Sequence, residues 1–508
     1  MRYPRYLWVL VPALEPAAAL RLSCYLGGLA CVGGITGLHN NLWAVGYYGA
    51  ALAFVLLALA FVLFFLAARS TVPRSLHPLL PSARPLLALG LAVSLGISCY
   101  SLVSVSRLPR GLADPTRYWN DAVAITDCSA QLFARGRNPY TAFDEGTCLA
   151  GLHMDGRFTT PLQAGAFAAN ATIPSRAERV RLFAQDVRQG MRHLPEFESS
   201  FSYPAGAFIF TWPVVALGGN GLSLFYIACF LLCYALLAWR APPRLRPWLV
   251  LIALAHVGLW SYAAHGYSEG LDILLILAAW VCWRQPLLSS VLLGLAVATR
   301  QDAWLVVPYY AILVGATYGV PALLRRLAVL ALFFAAANAP FIALSPRDWL
   351  DGILGPLKDP MFPGGDGLIG LGTSEWLPLW PRPVYSVLEA VAFVACCAVY
   401  ARICRRHPGT GLVLALAPLF FAWRSLSIYF VLPLPIYVLW PVLDGLASSV
   451  SAVRPKGARD GEAAGLARSD ETAEPAEGGE VEVGGTRVAL AHPSSAARRP
   501  APSAAPGA

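Results

Sequence analysis

Long apolar runs separated by short basic stretches set the rhythm of this chain. The apolar runs fall at roughly 19–37, 43–68, 85–106, 221–239, 248–264, 269–283, 287–299, 303–319, 327–344, 385–402, 410–424 and 428–446. Apolar runs of about 18 residues or more read as transmembrane helices. Several of these are shorter than the roughly 20 residues a straight span needs. Their polar ends then have to sit at membrane depth, inside the bundle or against a water-filled cavity. The pattern predicts an all-α, polytopic transmembrane helical bundle of about twelve spans. The segment 206–218 is apolar but short, and it reads as a partial or re-entrant helix.

Arginine placement orients this bundle. Cytoplasmic loops of membrane proteins carry an excess of Lys and Arg. Arg2, Arg5 and Arg21 place the N-terminus in the cytoplasm, and Arg69, Arg74 and Arg84 place the second loop there. Arg240, Arg244, Arg246, Arg284, Arg325, Arg326, Arg402, Arg405 and Arg406 mark later cytoplasmic loops. Twelve crossings satisfy all of them if 206–218 does not cross, and both termini are then cytoplasmic. The loops 107–205 and 345–384 fall outside, together with His265 to Glu269, Arg300-Gln301-Asp302 and Trp423-Arg424-Ser425. The unusual polar residues thus gather on one face, beneath two long outer loops.

Composition agrees with the pattern. Of 508 residues, 57% are hydrophobic and 13% charged, and mean hydropathy is +0.57. A soluble domain carries about 25% charged residues. The 15 Trp and 20 Tyr suit a protein with many membrane–water interfaces. The net charge of +9 comes from topology-setting loops and carries no nucleic-acid signal. No cleavage pattern marks the first apolar segment, so it is expected to stay as an anchor. The chain divides into a membrane domain over 1–450 and a tail over 451–508. The tail is rich in Ala, Gly, Pro, Glu and Arg and is expected to be a disordered cytoplasmic extension.

Eleven cysteines show no zinc-ligand spacing. Nine lie in apolar segments as small core residues. Cys128 and Cys148 share the long polar loop, where either a disulfide or two buried free thiols fit.

The candidate chemistry begins at Asp121, about fifteen residues beyond the third span, in Tyr118-Trp119-Asn120-Asp121. It reads as a catalytic acid or as a capping residue. Asp127 lies six residues on, nearly opposite in phase on a helix, so the two do not form a tight pair. A turn follows over Arg135 to Tyr140, and the loop returns to the membrane as Ser202-Tyr203-Pro204. Arg300 and Arg424 sit between apolar segments as functional cations or as snorkelling side chains. Glu269 and Asp272 read as first-turn acids of a helix. Asp127, Asp144, Glu145, His153 and Asp155 offer oxygen and nitrogen groups for a metal or an acceptor, although no pattern requires a divalent metal. The second outer loop, Lys358 to Gly367, has the Gly and Pro content of a tight lid or of a plain connection, and it carries Asp366.

These residues resemble those of GT-C-type glycosyltransferases, and more closely the family 87 mannosyltransferases that use polyprenyl-phosphate sugars. Four elements carry the resemblance: Asp121 within NDAVAITDCSAQLFARGRNPY, Gly136 to Tyr140, the Tyr-Pro of SYPAGAF, and GLAVATRQDAW with its cationic turn. They cover roughly 85–446. Tyr-Pro-Ala stands where the family has Tyr-Pro-Pro, and Arg300 where Lys is common.

The resemblance implies a membrane enzyme of the bacterial cytoplasmic membrane. It would move a mannose-like hexose or pentose from a polyprenyl-phosphate donor to a hydroxyl of a lipid, glycan or protein acceptor. Transfer would occur on the outer face, with inversion. Asp121 would be the general base. Asp127, Tyr140, Tyr203, Arg300 and Arg424 would bind substrate, the two arginines on the phosphate side. A transporter or flippase of lipid-linked sugars, a glycan ligase and a noncatalytic scaffold are the rival readings. No internal repeat is visible, which weighs against a repeat-built transporter.

Overall fold

The computed structural model describes residues 14–41, 46–112, 118–191, 193–198, 200–218, 221–263 and 266–452. Arg2, Arg5, His265 and the tail from Val453 onward, each given a role from sequence, lie outside the described residues. The chain divides into two units, Met1–Ala452 and Val453–Ala508, and all the described residues belong to the first.

The fold is all-α, with about 75% of residues helical. Among the described residues, seven helices are long and apolar enough to cross a membrane: Pro16–Leu38, Tyr48–Ala68, Arg74–Pro109, Gly221–Arg240, Val320–Leu344, Arg382–Ile403 and Ile428–Leu446. Arg246–Ala255, Gly270–Val281, Pro286–Thr299 and Thr410–Phe421 are apolar but shorter. The sequence pattern merged 248–264 into one run, whereas the chain breaks it at His256. The buried His256 ring bonds the Tyr234 hydroxyl at 2.9 Å and the Val431 carbonyl at 2.7 Å. Segment 206–218 folds as two short helices, Gly206–Ile209 and Trp212–Ala216. Thirteen helical residues would span about 20 Å, short of the ~30 Å hydrocarbon core.

The outward faces identify the solvent. Val387, Val391 and Val394 recur at helical spacing and are 61%, 60% and 66% exposed. Leu52, Val55, Leu59 and Val62 do the same on the helix Gly46–Ala68. Contiguous apolar faces of this size are unfavourable in water and normal against lipid. The long apolar helices therefore mark a membrane protein.

Two of the arginines read as topology markers are buried and hold helix ends together. Arg21 donates to the carbonyls of Ala67 at 3.1 Å and Pro441 at 2.8 Å. Arg326 donates to the Trp283 carbonyl at 2.6 Å. The Ala67 and Trp283 carbonyls lie at helix C-terminal ends, which leave such groups without an internal partner, whereas Pro441 lies within the helix Pro433–Ala452.

The first long loop is an ordered cap with cores of its own. One core gathers Tyr118, Val123, Leu149, Phe167, Phe183 and Phe197. Another joins Ile125, Phe143, Phe201 and Phe208 to Phe341 of the helix Val320–Leu344. The cap is therefore packed onto the bundle, and the residues at its base are fixed in place.

Candidate functional site

Asp121 opens the helix Asp121–Ala134. Asn120 caps that helix, its side chain accepting the Ala122 N–H at 2.7 Å. Asp121 Oδ1 accepts from the same N–H at 2.8 Å, and Oδ2 accepts from Thr160 N–H at 2.7 Å. A helix N-terminus favours an acid, and two backbone donors fix where this one points. The capping residue is Asn120, so Asp121 remains half-buried with a spare lone pair on each oxygen.

A disulfide between Cys128 and Cys148 ties this helix to Glu145–Gly151, with 6.0 Å between the Cα atoms. Of the two sequence alternatives, the structure contains the disulfide. Asp144 caps the second helix through the Thr147 N–H at 3.0 Å. The next residue, Glu145, is fully buried, and neither carboxyl oxygen has a hydrogen-bond partner. Burial pushes its pKa well above the usual carboxylate range, and the charges of Asp121 and Glu198 push it further.

Glu198 is the residue that sequence reasoning missed. The backbone pairs Pro161 with Phe197, and Glu198 N–H donates to Thr160 C=O at 3.1 Å. Its side chain is buried and its pKa is pushed up to about 7. Burial is the main cause, followed by Asp121; a Ser202 hydrogen bond and Arg424 oppose the rise, and Asp359 adds to it. An acid titrating near neutrality beside a fixed carboxylate is a functional-site signature. Only the alternation Glu196-Phe197-Glu198 hinted at an extended segment, and nothing local marks those acids as buried.

The second outer loop closes over this group. Gln163 N–H donates to Pro360 C=O at 2.7 Å, and Leu162 bridges to Met361. The two-residue strands Gly364–Gly365 and Arg424–Ser425 then pair in parallel. Gly365 has φ +127°, and a Cβ there would collide with the Ser425 carbonyl oxygen, so the position needs glycine. Asp366 N–H donates to Ser425 C=O at 2.8 Å, and the Ser427 hydroxyl donates to the Asp366 carboxylate. This pairing places Arg424, whose Nη1 lies 3.0 Å from Met361 Sδ. Among the described residues no carboxylate lies within ion-pair distance of Arg424.

Arg300 is differently placed. It lies 3.1 Å from Glu269 Oε1, 3.2 Å from Asp302 Oδ2 and 3.9 Å from Asp272 Oδ1. It also donates to the Ser268 hydroxyl and lies 4.9 Å from the centre of the Tyr203 ring. The sequence expectation put Arg300 on the phosphate side, but its donors are already committed inside the protein. Its visible work is to balance three acids and to hold Tyr203. Asp272 does lie in the first turn of the helix Gly270–Val281, with Glu269 at its N-cap position, and both are also buried partners of Arg300.

Tyr203 joins the two groups, because the charges of Arg300, Glu198, Asp121 and Glu269 all reach its hydroxyl. Asp121, Tyr203 and Arg300 thus share one charged neighbourhood, and Arg424 joins it through Glu198. Asp127 does not, and Tyr140 meets this group only at the Tyr203 backbone. Asp127 is buried, accepting from the Tyr118 hydroxyl at 2.6 Å and from Gln131 at 2.8 Å. Tyr140 donates to the Tyr203 carbonyl at 2.8 Å from within an aromatic cluster with Phe201, Phe208 and Phe341. Both build the cap. Asp155 pairs with Arg157 at 2.7 Å, and His153 takes a left-handed backbone at φ +56°. Among the described residues no group of three or more His, Cys, Asp or Glu side chains is arranged to hold a metal ion.

Comparison with protein-family models, with curated proteins and with solved structures gives no match to this chain.

Proposed function

We propose that the chain is a GT-C-type membrane glycosyltransferase with about twelve crossings and both termini cytoplasmic. It transfers a sugar from a polyprenyl phosphate to an acceptor hydroxyl at the outer face of a bacterial cytoplasmic membrane. One observation carries the reading: a carboxylate fixed by two backbone N–H groups, Asp121, shares its surroundings with Arg424, a cation free of any ion pair among the described residues.

The chemistry needs such a pair. Asp121 takes the proton of the acceptor hydroxyl as its oxygen attacks the anomeric carbon. The bond from that carbon to the phosphate oxygen breaks, and its electron pair leaves with the lipid phosphate. Arg424 stabilises the departing charge through its planar set of donors. A single displacement inverts the anomeric centre. Arg300 supports the site by holding Tyr203.

The test is sugar transfer in membranes carrying wild type or Asp121→Asn, supplied with radiolabelled polyprenyl-phosphate sugars and endogenous acceptors. The reading expects one donor to be consumed by wild type, and the variant to bind it without transferring it. Wild-type transfer by the variant would remove Asp121 from the mechanism. If no donor reacts with wild type, the flippase and ligase readings move ahead.

A further inference from the structure

The acids around Asp121 outnumber the cations, and one residue ties two of their segments together. Thr160 bonds Asp121 through its N–H and Glu198 through its C=O. The neighbouring Leu162 bridges to Met361, which contacts Arg424. Glu198 therefore faces Asp121 from the helix Asp121–Ala134 and Arg424 from the short strand. It also faces Glu145 from the helix Glu145–Gly151, Asp359 from the end of the helix Pro346–Lys358, and Ser202 and Tyr203 from the segment that follows it. Arg424 is the one cation acting on Glu198 in that set.

We infer that binding of a phosphodiester anion at Arg424 is coupled to uptake of one proton by Glu198. This rests on the reading that Arg424 meets the donor's phosphate. An anion on Arg424 cancels the positive charge that favours ionised Glu198 and adds a negative charge beside it. The backbone bonds at Thr160 fix the Asp121 carboxylate and the Glu198 main chain beside each other, and burial denies Glu198 a water shell. Protonation is the response left, with the proton supplied by solvent. The Glu198 pKa is pushed up to about 7, so the exchange falls in an accessible range. Glu198 is here a positioning residue that sets the charge of the donor site.

The sign follows from linkage. A ligand that prefers protonated Glu198 binds best below the pKa and is released as pH rises through it. The experiment uses the full chain in lipid nanodiscs and methyl farnesyl phosphate, a phosphodiester of constant single charge. Affinity is expected to weaken about tenfold between about pH 6 and about pH 8. Calorimetry near pH 7 in two buffers of different protonation heat is expected to show about half a proton taken up per anion bound, because Glu198 is already about half protonated there. Glu198→Gln is expected to bind with the same affinity at both pH values and to take up none.

Wild-type binding that is independent of pH and takes up no proton overturns the coupling and leaves the anion site standing. Absence of binding, or undiminished binding by Arg424→Gln, overturns the anion site and the coupling with it. Proton uptake is read on the wild-type protein, so the test survives a poorly folding variant.

Discussion

Asp121 and Glu198 hang from the two faces of a single residue. Thr160 donates its N–H to the Asp121 carboxylate at 2.7 Å and accepts the Glu198 N–H at 3.1 Å. A helix N-terminus and a loop 77 positions further along thereby act as one rigid piece.

Asp121→Asn is expected to lower transfer by about 10²–10⁴-fold, the usual contribution of a positioned general base. Donor binding should change little, because Arg424 is untouched. Asp127→Asn makes the contrast. It weakens the bonds to Tyr118 and Gln131, costing about 1–3 kcal/mol of stability while transfer per folded molecule persists. Initial rates normalised to folded protein, beside melting curves, check both.

Stability should report Glu198 directly. Its folded pKa, about 7, lies above the ordinary glutamate value of 4.5. Ionising it in the folded protein is therefore unfavourable, and stability is lost as pH rises from about 4.5 to about 7. Glu198→Gln should melt above wild type at about pH 8, by up to about 3 kcal/mol, with the gap closing toward about pH 5. Melting followed by intrinsic tryptophan fluorescence across that range checks it. A gap that widens on acidification would contradict the assignment.

Arg300 predicts a different kind of damage. Arg300→Gln leaves Glu269, Asp272 and Asp302 without their cation, and breaking a buried ion pair costs about 3–5 kcal/mol. Size-exclusion profiles in detergent should show loss of folded protein. Pairing the change with Asp272→Asn should recover part of it.

Gly365→Ala is expected to separate the two outer loops. The added Cβ meets the Ser425 carbonyl, and the left-handed backbone costs about 1–3 kcal/mol for a side chain. Limited proteolysis between Lys358 and Gly367 should accelerate, and anion binding should fall because Arg424 loses its partner strand.

The disulfide joins the two acid-bearing helices, and its loss should cost about 2–5 kcal/mol. Cys128→Ser with Cys148→Ser, compared with reduced wild type in the same melting assay, checks this. Equal melting in the oxidised and reduced states would contradict it.

Helical class and membrane character were legible because hydrophobic runs are local signals. Asp121 and Arg424 were legible because ionisable residues beside apolar helices are costly and stand out. Glu198 was not, since its burial comes from the pairing of Pro161 with Phe197 across the cap. The engagement of Arg300 was equally hidden: Glu269 and Asp272 lie on a preceding helix whose approach no spacing reveals. Tyr140 carried a motif, yet its hydroxyl is spent on the Tyr203 carbonyl. A motif records that a residue is needed, and it does not say whether the need is chemical or architectural.

The strand that carries Arg424 has a consequence for biogenesis. The acids at 121, 145 and 198 lie in the first half of the chain, whereas their cation comes near its end. At ~5–20 residues per second, Arg424 leaves the ribosome roughly 11–45 s after Glu198. Throughout that interval the nascent cap holds an uncompensated cluster of carboxyls. Its acid half has to persist by holding protons or by staying open to water, and the last membrane helices finish the site by delivering its positive charge.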